Sequence, residues 1–301
     1  MPDAPFPRSP GDLDAELAIA IEAAQRAGAL LVGAFRQVNI ERRHGRHDVV
    51  TDIDRASEAL IMASLAASFP ADRRLGEETG LAVPRRPSTR TWIIDPLDGT
   101  VNYVAGLPFW CVSIALAIGN RIELGVIHDP LQGETIVAMS GRGAWHMDPM
   151  ARLEMRHLRR TADAVVSADP GGIDDPAQQR ISELRKHVRA VRALGSTALS
   201  LTSLATGRLD GVLQVRGLQA VDIAAAGLIA REAGARITDA RGGPWIVVAG
   251  PSRGTGIAAG RPGVHHRLLG GKEVPRGALP HTIDLDIRPG GVRLESASDT
   301  W

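Results

Sequence analysis

One stretch, WIIDPLDGTVNYVAG at residues 92–106, constrains this chain more than any other. An apolar run ends on Asp95 and Asp98, with Pro96 between them and Gly99-Thr100 immediately after. Two carboxylates this close repel each other, so the fold needs either a turn that caps and solvates them or a cation between them. Asp, Pro and Gly are favoured turn residues, so a tight acidic turn after a buried strand is the plainer expectation. The choice depends on what else the chain brings to the same place.

Composition narrows the classes. At 301 residues the chain can bury one large core or two layered halves. Hydrophobic residues are 44%, charged residues 23% and the net charge +1, the balance of a soluble globular protein with no field suited to nucleic acid or a membrane surface. Cys111 is the only cysteine, which excludes an intramolecular disulfide and a cysteine metal cluster. No apolar stretch is expected to reach the roughly 18 residues of a membrane span, and the N-terminus lacks a charged-then-apolar signal pattern. A cytoplasmic location is the expectation.

Periodicity supplies an outline. Residues 1–11 hold four prolines and read as a loose lead-in. Leu13, Leu17, Ile21, Ala24, Leu31 and Phe35 follow the spacing of one helix face, and Ala56, Leu60, Leu65 and Phe69 suggest a second helix stopped by Pro70. TWIIDP and FWCVSIALAIG read as buried strands, and ELGVIHDP with ETIVAMS as a hairpin. After residue 150 short apolar strands alternate with helical patterns: AVVSAD, AVRAL, DGVLQV, ARITDA, WIVVAG and GIAAG. This predicts one α/β (α+β) unit with an N-terminal lobe over 12–150, a C-terminal lobe over 151–269 and a Gly/Pro-rich tail over 270–301.

Acidic residues recur where apolar segments end: Asp52 and Asp54 after VVT, Glu77-Glu78 after RRLG, Asp95 and Asp98 after WII, and Asp222 before IAAAGLIAREAG. Each has an ordinary reading. Asp54 and Asp222 suit helix starts, a contribution of about 1 kcal/mol, and Glu77-Glu78 suits a solvated loop. Together, hard carboxylates without neighbouring His or Cys match the oxygen preference of Mg²⁺, and a helix starting near Thr100 would favour a phosphate. That combination suggests metal-assisted phosphoryl transfer to water.

GEET (76–79), DPLDGTVNY (95–103), VVTDID (49–54) and VDIAAAGLIAREAGA (221–235), in this order and spacing, resemble the signature segments of the inositol monophosphatase family. GVIHDPLQGETIVAMSGRGAW (125–145) and LGSTALSLTSLATGRLDG (194–211) resemble its central hairpin and substrate-side helix. The resemblance covers roughly residues 12–270. It implies a layered αβαβα fold, a Mg²⁺-dependent, lithium-sensitive phosphomonoesterase and a homodimer. Glu77, Asp95 and the Leu97 carbonyl would hold a first Mg²⁺, Asp95, Asp98 and Asp222 a second, and Glu77 would assist a third through water. Asp54 and Thr100 would orient and deprotonate the nucleophilic water. Gly99 and Thr100 amides would grip the phosphate, with Asp98 nearby, and Gly195, Ser196 and Thr197 would face the alcohol portion of the substrate.

Two departures bear on substrate. Val221 stands before Asp222 where the family has Trp or Tyr, and Val215 stands where animal members carry an inositol-contacting glutamate. Valine accepts no sugar hydroxyl, so strict inositol specificity is not implied. Arg216 reads as a surface residue or a reader of a second anionic group, and Arg43 or Arg46 stands in for a lysine common in the family. TVNY points to the inositol phosphatase and fructose-bisphosphatase branch. Fructose 1,6-bisphosphate, histidinol phosphate or a nucleotide stays open as substrate, as does a regulatory binding protein without turnover. His128 reads as a turn or surface residue, Cys111 as an apolar filler, 42–47 and 156–160 as solvated basic runs, and His265-His266 as lacking partners.

Overall fold

The structure, a computed structural model, describes residues 13–36, 40–43, 49–155, 160–169, 175–245 and 255–271. The lead-in, the tail beyond 271, the strand expected at 246–250 and Arg46 lie outside the described residues, as do 156–159 of the second basic run. The first helical pattern forms α1 (Asp14–Ala34), and β1 (Ile40–Arg43) pairs antiparallel with β2 (Val49–Thr51). Then come α2 (Asp52–Ser68), β3 (Arg73–Gly76), β4 (Gly80–Ala82), β5 (Arg90–Asp98), α3 (Thr100–Val104), β6 (Cys111–Ile118), β7 (Arg121–Asp129), β8 (Glu134–Met139), β9 (Gly143–Met147) and β10 (Met150–Leu153). The second half runs β11 (Val165–Asp169), α4 (Asp175–Arg185), β12 (Ala190–Arg192), α5 (Thr197–Ala205), β13 (Gly211–Leu218), α6 (Ala220–Glu232), β14 (Arg236–Asp239), β15 (Thr255–Gly260) and α7 (Pro262–Leu268).

Among the described residues, eight strands form one sheet in the order β10-β9-β8-β7-β6-β5-β3-β4, and five form a second, β12-β11-β13-β15-β14. The first is antiparallel except where β3 lies parallel to β5; the second is mixed. Helices α1 and α2 cover the outer face of the large sheet through Leu17, Leu31, Ile61 and Leu65. Helices α5 and α6 lie between the sheets, with Leu201, Ile223 and Leu228 in a shared core. Helices α4 and α7 close the far face through Ile181, Leu184, Val264 and Leu268. The result is the αβαβα layering, an α/β fold.

Helix α1 corrects one expectation. It is 21 residues long with a window of mean hydropathy 1.4, enough by length and composition to cross a membrane. Ala20, Ala24, Ala27 and Leu31 are fully buried against the large sheet and α2, so its apolar surface serves as core.

Strand β5 also departs from expectation. The backbone stays extended through Asp98 rather than turning at Asp95. Asp95 pairs with Ser113 and Asp98 with Cys111, so β5 carries one extra residue there, a β-bulge. Side chains alternate along a strand, and residues three apart ordinarily face opposite sides. The inserted residue cancels that offset and lets Asp95 and Asp98 serve one site. Pro96, which has no N–H to give a ladder, sits within the bulge.

Candidate active site

The end of β5 opens into a cavity of about 280 Å³ between the two sheets. Glu77, Asp95, Leu97, Asp98, Gly99, Thr100, Gly195, Ser196, Thr197 and Asp222 all line it, so the expected residues converge from five elements. Asp54 is buried just behind them, and Thr100 Oγ1 lies 3.2 Å from its Oδ1. The same hydroxyl lies 3.1 Å from the Leu97 carbonyl.

The loop after β5 is shaped by glycine. Gly99 has φ +99°, and a Cβ there would lie 3.1 Å from the Phe109 carbonyl oxygen. It precedes α3, whose first turn carries Asn102 and Tyr103. Asn102 Nδ2 donates to the carbonyls of Phe109 (2.8 Å) and Leu194 (2.7 Å), tying α3 to the 194–197 loop. Tyr103 Oη donates to Leu31 O at 2.6 Å, fastening the same turn to α1.

Asp98 and Asp222 already have backbone partners. Asp98 Oδ2 accepts from Ser196 Oγ and from the Ala198 amide at 2.8 Å, joining β5 to the start of α5. Ser196 is the N-cap of that helix, and its hydroxyl points to Asp98 rather than outward. Asp222 Oδ2 accepts from Gln219 N at 2.5 Å, the capping role that a helix start offers. Among the described residues no three acidic, His or Cys side chains close in on one point tightly enough to hold an ion unaided.

The electrostatics nonetheless call for a cation. Burial holds the Asp95 carboxyl well above the usual range, and Glu77, Asp98 and Asp222 push it the same way. Glu77 is raised as well, first by desolvation and then by repulsion from Asp222, partly offset by a hydrogen bond with Asp95. Asp98 is raised by burial and steadied by Ser196 and the α5 amides. Asp222 is raised to about 7, chiefly by desolvation, against the Gln219 hydrogen bond. Four carboxyls whose charged forms are disfavoured by burial and mutual repulsion could serve as an all-oxygen donor set for a hard divalent ion.

Helix α2 contributes two groups that apolar periodicity did not mark. Ser57 Oγ donates to the Pro96 carbonyl at 3.1 Å, fixing the bulge. Glu58 is fully buried; its carboxylate accepts from Glu78 N and Thr79 N, both at 2.9 Å, and Thr79 Oγ1 at 2.5 Å. It thereby folds the turn that presents Glu77. Gly76 makes room: a Cβ there would lie 2.5 Å from the Glu58 carboxyl carbon. An acid four residues after Asp54, on the same helix face, was the available signal.

Several set-aside residues find places. His128 is buried, not at the surface, with Nδ1 3.0 Å from Thr135 Oγ1, and lies against Gly28 of α1. His265 is also buried, with Nε2 3.0 Å from Thr238 Oγ1. Cys111 is buried beside the site, its Sγ 4.0 Å from Asp98 Oδ2. Val215 does not line the cavity; it packs against the outer core beneath α4 and α7.

Residues 12–272 match the inositol monophosphatase family. The chain belongs to that family. Inositol monophosphatase 2 of Solanum lycopersicum is 37% identical over 240 residues, 77% of this chain and 89% of the relative. Nus factor SuhB of Haemophilus influenzae is 38% identical over 250 residues, 79% and 91% of the two chains. Among solved structures, the extragenic suppressor protein suhB of Bartonella henselae superposes with TM-score 0.74 at 32% identity, covering 85% of this chain and 98% of that one. The IMPase of Thermotoga maritima gives 0.74 at 30%, covering 85% and 96%. The family is metal-dependent, its members are phosphoric monoester hydrolases, and this chain is a phosphatase of that family acting on a small phosphate ester.

Proposed function

We propose that the protein is a Mg²⁺-dependent phosphomonoesterase acting on a small polyol, cyclitol or sugar phosphate, with two to three ions per site. One observation carries this reading: Glu77, Asp95, Asp98 and Asp222 are gathered with elevated pKa values around a cavity whose edge holds the Thr100–Asp54 hydrogen bond. Glu77, Asp95 and the Leu97 carbonyl would hold one ion, and Asp95, Asp98 and Asp222 another. Bound Mg²⁺ supplies an activated water at neutral pH and offsets charge on the departing alkoxide.

The chain's own groups do the rest. Asp54 accepts the Thr100 hydroxyl proton, leaving Thr100 oxygen lone pairs to align the attacking water and take its proton. The amides of Gly99 and Thr100 suit phosphate oxygens at the cavity rim. Gly195 and Thr197 border the space for the alcohol, while Ser196 holds Asp98 in place. A cytoplasmic homodimer completes the reading.

The test is phosphate release by purified protein with Mg²⁺ from inositol 1-phosphate, glycerol 2-phosphate, fructose 1,6-bisphosphate and histidinol phosphate. Turnover on at least one is expected; none on any defeats the proposal. A regulatory role is the second reading, favoured by relatives named Nus factor SuhB at up to 38% identity. A stable macromolecular partner together with negligible turnover would establish it.

A further inference from the structure

The loop after β5 and the loop before α5 are joined into a closed ring. From Asp98 the chain runs through Gly99 and Thr100 to Asn102. Asn102 Nδ2 donates across to the Leu194 carbonyl at 2.7 Å, and the chain continues from there through Gly195 to Ser196. Ser196 Oγ donates to Asp98 Oδ2 and closes the ring where it began. Residues 98–101 and 194–196 all line the cavity. Asn102 is buried, and it is the one ring member that does not line it.

The ring has no slack. Gly99 and Gly195 both take positive φ, +99° and +76°, and each is packed against the opposite arm. A Cβ on Gly99 would lie 3.2 Å from Ser196 Cβ, and one on Gly195 would lie 2.8 Å from Asn102 Nδ2. Asn102 also donates to the Phe109 carbonyl at 2.8 Å, the same carbonyl that faces Gly99. A side-chain amide has two donor hydrogens, so Asn102 uses both to hold the two arms on one support. Contacts packed this closely pass displacement on rather than absorb it. A shift of Leu194 therefore moves Ser196, and with it the hydroxyl that fixes the Asp98 carboxylate.

We propose that Asn102 is a positioning residue for the reaction: by closing this ring it fixes the direction of Asp98 relative to the Gly99 and Thr100 amides. The proposal rests on the phosphatase reading above, in which Asp98 holds an ion and those amides meet the phosphate. Ion and phosphate must keep their relative placement while the bond to phosphorus breaks, and a misplacement of about 1 Å costs on the order of 10²-fold in rate. Asn102 itself touches neither group. Removing its amide leaves the residues lining the cavity unchanged and deprives two carbonyls of their donor.

The experiment compares Asn102→Ala with Tyr103→Phe in the full chain. Tyr103 is the next residue on the same turn, and its hydroxyl donates to the Leu31 carbonyl at 2.6 Å, outside the ring. Phenylalanine loses that bond and keeps an aromatic ring against Phe35 and Trp110. Calorimetry gives the Mg²⁺ dissociation constant without substrate. Kinetics give kcat and KM on whichever of the four phosphate esters named above the wild type turns over fastest. Asn102→Ala should weaken Mg²⁺ binding at least threefold and lower kcat at saturating Mg²⁺ at least tenfold, with KM changed less than kcat. Tyr103→Phe should leave all three within twofold of wild type, although it also lowers the unfolding midpoint. Asn102→Ser, whose hydroxyl has one hydrogen for two carbonyls, decides the matter if Asn102→Ala does not fold; it should move Mg²⁺ binding and kcat in the same direction by several-fold. Folded Asn102 variants that match Tyr103→Phe in Mg²⁺ binding and kcat overturn the positioning proposal alone. A wild type that turns over none of the four esters overturns the phosphatase reading and this proposal with it.

Discussion

Asp95 stands at the centre of the site because three other acids act on it: Glu77, Asp98 and Asp222 each raise its pKa by repulsion, on top of its burial. Asp95→Asn therefore removes a charge that the metal-free protein holds at a cost and the metal-bound protein needs. Turnover should fall by at least about 10³-fold while the metal-free unfolding midpoint stays equal or rises. Glu77→Gln should behave alike, and calorimetry with Mg²⁺ should show weakened binding in both. The sign of the pH dependence follows from the same acids. Burial pushes Asp222 up to about 7 in the folded state, above the 3.8 of an ordinary aspartate, so the folded protein keeps a proton that the unfolded chain has released. That stabilisation is present at low pH and is lost as pH rises through about 7. His265 acts oppositely: burial lowers it to about 4, so its contribution is lost as pH falls below about 6.5 toward 4. The metal-free unfolding midpoint should thus fall from about pH 6.5 to 8, saturating Mg²⁺ should reverse that trend, and Asp222→Asn should flatten it.

At the scale of elements, α2 organises the site, and it shows why sequence periodicity sees only part of it. Ala56, Leu60, Leu65 and Phe69 suggest the inner face, yet the buried residues are Asp54, Ser57, Glu58, Ile61 and Leu65, and Ala56 is exposed. A search for apolar spacing locates the helix but rotates its face, because three inner positions are polar. Their partners, the Pro96 carbonyl and the amides of Glu78 and Thr79, lie about 20 to 40 residues away. The same limit applies to β5: DPLD reads as a turn in sequence, and only pairing with β6 reveals the bulge. What the sequence did make legible was the acidic set, since the motif residues line one cavity, and the alternation of strands and helices, since it follows local pattern. Glu58→Gln tests the organising role. Losing one of the acceptor oxygens that serve Glu78 and Thr79 should cost about 1–3 kcal/mol of stability. If Glu58 positions Glu77, half-saturation by Mg²⁺ should rise several-fold while kcat at saturating Mg²⁺ stays within a few-fold of wild type. A purely structural role would lower the midpoint and leave the Mg²⁺ dependence unmoved.

For the molecule as a whole, the cavity exists because two sheets are held at a fixed separation by α5 and α6. Helix α6 is the tighter spacer. Gly125 of β7 meets its backbone so closely that a Cβ would lie 2.7 Å from the Ala225 carbonyl oxygen, and Gly227 would bring a Cβ 2.3 Å from the Trp245 ring. Close packing of this kind transmits displacement instead of absorbing it. Gly125→Val should push α6 away from the large sheet and carry Asp222, in its first turn, away from Glu77 and Asp95. Overpacking should cost about 1–3 kcal/mol, but the telling change is functional: kcat/KM at limiting Mg²⁺ should fall more than tenfold, and Mg²⁺ should raise the unfolding midpoint less than in wild type. Leu184→Ala provides the comparison. Leu184 is buried on α4 in the outer core, a cluster that includes no α6 residue, and its truncation should cost about 2–5 kcal/mol. If sheet spacing sets the site, that variant should unfold earlier than Gly125→Val yet keep the wild-type Mg²⁺ dependence. Equal loss of Mg²⁺ response in both variants would mean that general stability, not the position of α6, governs the metal carboxylates.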